Sequence, residues 1–365
     1  MKKALILYGA TDIGPSHFCG DLLWRTGFKA PDPFFLVEIE GRTFLLLSPL
    51  ELERAAKESK ADEVILLQDY ICRTTTRTSR EGVILFLKEH KVDTVVISED
   101  FPYALAKALG RIFSIEVKKV PLYLERTQKT DWEIDQIVKA QDAVERGMQK
   151  AINFLRGAVI KESEIYYTDG VATSETVRAI INSSLFEEGY FAIDTIVATG
   201  AHASDPHARG FGPLIPYTPI VIDIFPVSIK THYYSDQTRT VFKGEPKKEF
   251  KDMYQAVLDA QNQAIAKIKS GADGSDLVRG VEDLFESQGY TTDATKRPIE
   301  GFFHGLGHGV GIDLHEAPRI GRERVILEAG NVVTVEPGLY YVRERDHIPQ
   351  GGIRIEDIVV VEKNG

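Results

Sequence analysis

The stretch Gly301–Pro318, GFFHGLGHGVGIDLHEAP, constrains this chain more than any other. It carries three histidines, His304, His308 and His315, among five glycines, Gly301, Gly305, Gly307, Gly309 and Gly311. A helix is excluded, because each glycine would cost it about 1 kcal/mol. Glycine at this density marks backbone that passes close to another group or adopts positive φ. A buried imidazole needs a partner at each ring nitrogen, and a metal ion is one such partner.

Acidic residues within apolar runs supply the rest of the pattern. Asp223 sits in PIVIDIF and Asp236 in YYSDQTRTVF. Glu336 ends NVVTVE and is stopped by Pro337-Gly338, and Glu356 lies in GIRIEDIVVV. Each alone has an ordinary reading, as a turn cap or as the partner of an arginine. Together they need shared counter-charge, because burying several like charges is prohibitive without it. Two divalent cations would balance them, and His308 can ligate as neutral imidazole. Oxygen-rich ligation with one imidazole suits manganese, cobalt, iron or zinc better than copper. Arg354, two residues before Glu356, should share its strand face.

Length and charge narrow the class. A chain of 365 residues exceeds the usual limit of a single core, so two domains are expected. A net charge of −10 argues against a nucleic-acid binder and against an anionic membrane surface. No apolar run approaches the length of a membrane span. The opening MKKALILYGATDIG reads as a first strand rather than a signal peptide. Cys19 and Cys72 stand far apart and in no metal-ligand spacing. They read as free thiols in a reducing compartment, which places the protein in the cytoplasm.

Periodicity divides the chain. Up to about residue 120, apolar runs at Ala4–Tyr8, Phe34–Ile39, Thr43–Leu47, Val64–Leu67 and Thr94–Ser98 predict strands. Leu50–Ser59, Arg77–His90 and Tyr103–Leu109 predict helices between them, which implies a small mixed α/β domain over 1–122. The polar, proline-broken Lys118–Pro121 marks a join. Thr130-x-x-Glu133 then makes a capping box for a long helix that Gly157 should stop. Further helices are expected at Thr173–Phe186, Lys247–Lys269 and Ser275–Gln288. Strands are expected at Thr195–Ala198, Ile220–Phe225, Tyr233–Phe242, Val332–Glu336 and Ile353–Val361, giving an α+β second domain over 123–365.

The order Asp, Asp, His, Glu, Glu, with HGxGHxxGxxxHE, VEPGLY and GxRxED, closely resembles the pita-bread metallopeptidases. That superfamily contains methionine aminopeptidase, aminopeptidase P and prolidase. The resemblance covers residues from about 126 onward. It extends more weakly to the first 120, where HFCGDLLWRTGF is similar to an early motif of the creatinase-like N-terminal domain. It implies metal ligation by Asp223, Asp236, His308, Glu336 and Glu356, with Arg354 beside the last glutamate. It implies that His315 contacts substrate, that His207 in ATGAHASDPH is a further active-site histidine, and that His304 is the outer histidine of proline-specific members.

The implied activity is that of an exopeptidase. Two divalent ions, manganese or cobalt first and zinc or iron as alternatives, activate a hydroxide against the bond between an N-terminal residue and proline. Glu336 would accept the proton. Substrates would be short peptides with proline second, acted on by a homodimer. A methionine aminopeptidase and a non-catalytic or creatinase-like relative are the competing classes. The N-terminal domain counts against the first and the retained ligands against the second. The chain departs from the family at Asp223-Ile224-Phe225-Pro226 and in a longer gap to Asp236. An insertion of about two residues in a hairpin loop preserves side-chain parity, so both carboxylates can still face one site.

Overall fold

A computed structural model describes residues 2–14, 17–168, 170–295, 297–345 and 347–363. The chain divides into two compact units, Met1–Arg126 and Thr127–Gly365.

The first unit is built on a six-stranded mixed sheet. Its strands run in the order Glu63–Leu66, Arg42–Leu47, Phe34–Ile39, Lys3–Gly9, Thr94–Ser98, Ser114–Lys118. Lys3–Gly9 pairs antiparallel with Phe34–Ile39 and parallel with Thr94–Ser98. The hairpin of Phe34–Ile39 and Arg42–Leu47 closes Ile39 onto Arg42, with Glu40 at φ 52° and Gly41 at φ 81°. Two positive φ values match the twist that a tight two-residue turn requires. Alternation buries both faces. Ile6, Val37, Leu46 and Val95 pack on Val83, Phe86 and Leu87, while Leu7, Leu36 and Leu45 pack on Leu22, Phe28 and Ala55. Ser114–Lys118 was not expected as a strand. It is a mostly exposed edge, SIEVK, whose charges hide the apolar signal.

The second unit pairs helices with small antiparallel sheets. The long helix spans Asp131–Gly157, and the Thr130–Glu133 capping box forms in both directions. This helix and Ser174–Glu187 cover one face of the sheet that holds Ile196–Thr199, Pro219–Ile224 and Gln237–Phe242. Ile220, Ile222 and Ile224 point into that helix-side core, so Asp223 points the other way. Lys248–Ile265 and Gly274–Ser287 cover Val333 and Val335 of the strand Val332–Val335, which leaves Thr334 and Glu336 on the opposite face.

Three departures from the expected strand limits bear on the site, each at a carboxylate. The Asp236 strand starts at Gln237 rather than Tyr233, because Pro226–Ser228 and the bridge Val227–Tyr234 take up the intervening chain. The strand before Glu336 ends at Val335. The expected Ile353–Val361 is split into Gly351–Arg354 and Asp357–Val360. The split has a topological cause. Val332–Val335 pairs with Asp357–Val360, whereas Gly338–Tyr341 pairs with Gly351–Arg354. The chain therefore changes sheets twice, once at Glu336-Pro337 and once at Ile355-Glu356. Alternation survives the second crossing, since Ile353 and Ile355 enter the helix-side core while Arg354 and Glu356 face away from it.

Candidate active site

The faces turned away from the helices enclose a cavity of about 640 Å³. It brings together His207, Asp223, Asp236, His304, His308, His315, Glu336, Arg354 and Glu356. The glycine-rich stretch is one wall. A Cβ at Gly307 would collide with the carbonyl of Thr334, so only glycine lets the His308 strand lie this close to its neighbour. His308 is thereby seated on Gly307–Gly309, with its backbone N–H donating to Thr334 Oγ1 at 3.1 Å.

Asp236, His308 and Glu356 form the tightest group. Each offers a ligand atom within 4.8 Å of the others, and all three are buried. Asp223 Oδ1, Asp236 Oδ1 and Glu356 Oε1 are buried without a hydrogen-bond partner. Their second oxygens differ. Asp223 Oδ2 accepts from Arg354 Nη2 at 2.7 Å, and Glu356 Oε2 accepts from Thr238 Oγ1 at 2.8 Å. The ring of His308 places Nδ1 3.1 Å from the Gly309 carbonyl. A carbonyl only accepts, so Nδ1 carries the proton and Nε2 presents its lone pair. Nε2 lies 3.7 Å from Asp236 and 3.5 Å from Glu336. Burial, then the nearby His315, holds the His308 pKa down to about 3, so these contacts are not ion pairs at neutral pH. At 3.7 and 3.5 Å neither contact is a normal hydrogen bond. A cation would satisfy all of these acceptors.

The electrostatics agree. Burial raises Asp236 and Glu356 well above the usual carboxylate range, reinforced by the neighbouring carboxylates. Burial lifts Glu336 to about 7 against the opposing pull of Arg354. One guanidinium cannot balance this acidic group, and divalent ions would supply the missing charge.

The outer residues are fixed by one network. Arg354 is buried and donates to Asp223, to Thr238 Oγ1 at 3.1 Å, to Tyr340 Oη at 2.9 Å and to the Pro206 carbonyl at 3.3 Å. The last bond ties the loop that presents His207 to the site. His304 Nδ1 lies 2.7 Å from the Gly305 carbonyl and must carry the proton, so Nε2 accepts from Tyr340 Oη at 3.1 Å. Burial lowers the His304 pKa to about 4. Both of its nitrogens are thus engaged, which makes it a fixed wall and holder of Tyr340. His315 stands edge-on to His308, with ring centroids 4.3 Å apart. Glu316, the next residue in the chain, turns away and forms a buried ion pair with Lys129 at 2.6 Å. Thr238, Thr334 and Tyr340 were missed as site residues. Thr238 was legible as the same-face neighbour of Asp236, and Tyr340 as the last residue of VEPGLY.

The comparisons with known proteins fit this geometry. The model of metallopeptidase family M24 matches residues 135–363. An Xaa-Pro dipeptidase of Pyrococcus horikoshii is 31% identical over 280 residues, 75% of this chain and 72% of that protein. An Xaa-Pro dipeptidase of Pyrococcus furiosus is 32% identical over 327 residues, 88% of this chain and 82% of that protein. The solved prolidase from Pyrococcus furiosus aligns with 100% of this chain and 94% of its own, with a TM-score of 0.77 and 25% identity. The chain belongs to metallopeptidase family M24.

Proposed function

We propose that this chain is a dinuclear-metal exopeptidase that hydrolyses the bond between an N-terminal residue and proline. The observation that carries the reading is the gathering of ligand atoms of Asp236, His308 and Glu356 within 4.8 Å of one another, in a cavity that also holds orphaned carboxylate oxygens. The names of the curated relatives support the choice of substrate. Asp223, Asp236, His308, Glu336 and Glu356 would hold two divalent ions, manganese or cobalt first, with zinc or iron as alternatives. When bound, such ions supply a Lewis acid and lower the pKa of water.

The chain's own residues do the rest. Glu336, at the end of its strand on the cavity wall, is placed to accept a proton from the attacking water and return it to the leaving nitrogen. His315 and His207 face the cavity and would hold the substrate and the developing oxyanion. A bond to proline lacks an N–H, so recognition must rest on the shape of the ring. Phe225, Phe303 and the fixed His304 give the cavity such apolar walls. Residues 1–122 would be the creatinase-like domain and 123–365 the catalytic one, in a cytoplasmic homodimer.

The test is hydrolysis of Ala-Pro, Ala-Pro-Ala, Ala-Ala-Ala and Met-Ala-Ala by manganese-loaded protein. Faster turnover of either proline peptide is expected, and their ratio separates dipeptidase from aminopeptidase. Preference for Met-Ala-Ala, or no cleavage before proline, overturns the proposal.

A further inference from the structure

The two sheet crossings pose a mechanical problem that side chains outside the cavity solve. At Glu336 and Glu356 the backbone leaves one sheet for another, so neither residue is held by the ladder of the strand it adjoins. Their amides are caught by neighbours: Glu336 N–H donates to the Leu306 carbonyl at 2.8 Å and Glu356 N–H to the Thr238 carbonyl at 3.0 Å. The carbonyl side of each crossing is caught by two other residues. Gln261, buried on the helix Lys248–Ile265, donates from Nε2 to the Val335 carbonyl at 3.2 Å and to Asp357 Oδ2 at 3.1 Å. Arg239 donates from Nη1 to the Glu356 carbonyl and from Nη2 to Asp357 Oδ1, both at 2.6 Å. Arg239 belongs to the strand that follows Asp236, and Nη1 also reaches the Thr238 carbonyl at 3.0 Å.

Asp357 is therefore a hub with one oxygen to each donor, and Val335 and Asp357 are cross-strand partners. None of Gln261, Arg239 and Asp357 lines the cavity. The geometry points to these three as positioning residues that clamp both crossings and so fix the separation of Glu336, Glu356 and Asp236. The inference rests on the metal reading above. It assigns Asp357, the acidic neighbour of a ligand, to the support behind the site and not to the ions.

The experiment measures manganese stoichiometry and dissociation constants by calorimetry for the full chain. It compares wild type, Gln261→Met, Arg239→Lys and Asp357→Asn, with the melting temperature of each metal-free protein taken in parallel. Gln261→Met keeps the volume and removes both donors. Arg239→Lys keeps the charge, removes the two-pronged grip and is the milder change, because Arg239 is part-exposed. Support behind metal ligands is typically worth about 10–100-fold in affinity, so weakening of that order is expected, smallest for Arg239→Lys. Metal-free melting should stay near wild type for Arg239→Lys, and excess manganese should restore turnover. Unchanged dissociation constants, or lower melting with unchanged metal binding, overturn the clamp while leaving the metal reading intact. A wild-type chain that binds no manganese overturns both.

Discussion

A buried carboxylate oxygen without a donor is costly wherever it occurs, and here three such oxygens share one cavity with a lone pair of His308. We propose separable roles for the two neighbouring histidines. His308→Ala would remove a proposed ligand, so metal affinity should drop by more than about 100-fold, beyond what outer supports are worth. His315→Ala should keep the metals and lose about 10²–10³ in kcat, the range for a group that stabilises a transition-state oxyanion. Metal titration and steady-state kinetics of both variants check this. An emptied site in His315→Ala with a filled one in His308→Ala would reverse the assignment. His304 belongs to neither class, since one nitrogen faces a carbonyl and the other the Tyr340 hydroxyl.

At the scale of the element, the site depends on how closely two strands approach. Gly307 meets the Thr334 carbonyl where a side chain would stand. Gly307→Ala should push the His308 strand off its neighbour, and overpacking of this kind costs about 1–3 kcal/mol. Gly321 has open space around it, so Gly321→Ala should change stability by less than about 0.5 kcal/mol. Denaturant midpoints of the two variants give the comparison. Equal midpoints would mean that the strands yield without strain. The long helix contributes differently, by presenting Ala143, Val144, Ala151 and Leu155 to the sheet behind Asp223, which fixes that strand from the side opposite the chemistry.

Over the whole molecule, the site couples metal, proton and stability. Burial raises Asp236, Glu336 and Glu356 above their unfolded values, Glu336 to about 7. Groups with raised folded pKa values bind more protons in the native state than in the unfolded one. Their contribution is present below the usual carboxylate range near pH ~4 and is lost as pH rises through the raised values. Metal ions take over the protons' role as counter-charge. The melting temperature of chelator-treated protein should therefore fall, relative to manganese-loaded protein, between about pH 5 and pH 8. Scanning calorimetry of both forms across that range checks it, and a constant gap would contradict it. Chelation should also abolish hydrolysis and manganese or cobalt restore it. Full activity in metal-free protein would remove the basis of the mechanism.

Much of this was determined by the sequence itself. The capping box at Thr130, the Glu40-Gly41 turn and the alternation around Asp223 are local, because hydrogen-bond reach and side-chain period act over a few residues. The candidate ligands were legible for the same reason: a carboxylate in an apolar run conflicts with its neighbours. Other features were decided only by tertiary structure. Nothing local states that the chain changes sheets at Glu336 and Glu356, because strand pairing is set by partners far along the chain. Nor does Tyr340 announce that its hydroxyl lies between Arg354 and His304, or Asp357 that it joins Arg239 to Gln261. These groups are ordinary polar residues in sequence. They acquire their roles when the fold brings them within hydrogen-bond reach of one another, and for the buried Tyr340, Arg354 and Gln261 packing also removes water as a competing partner.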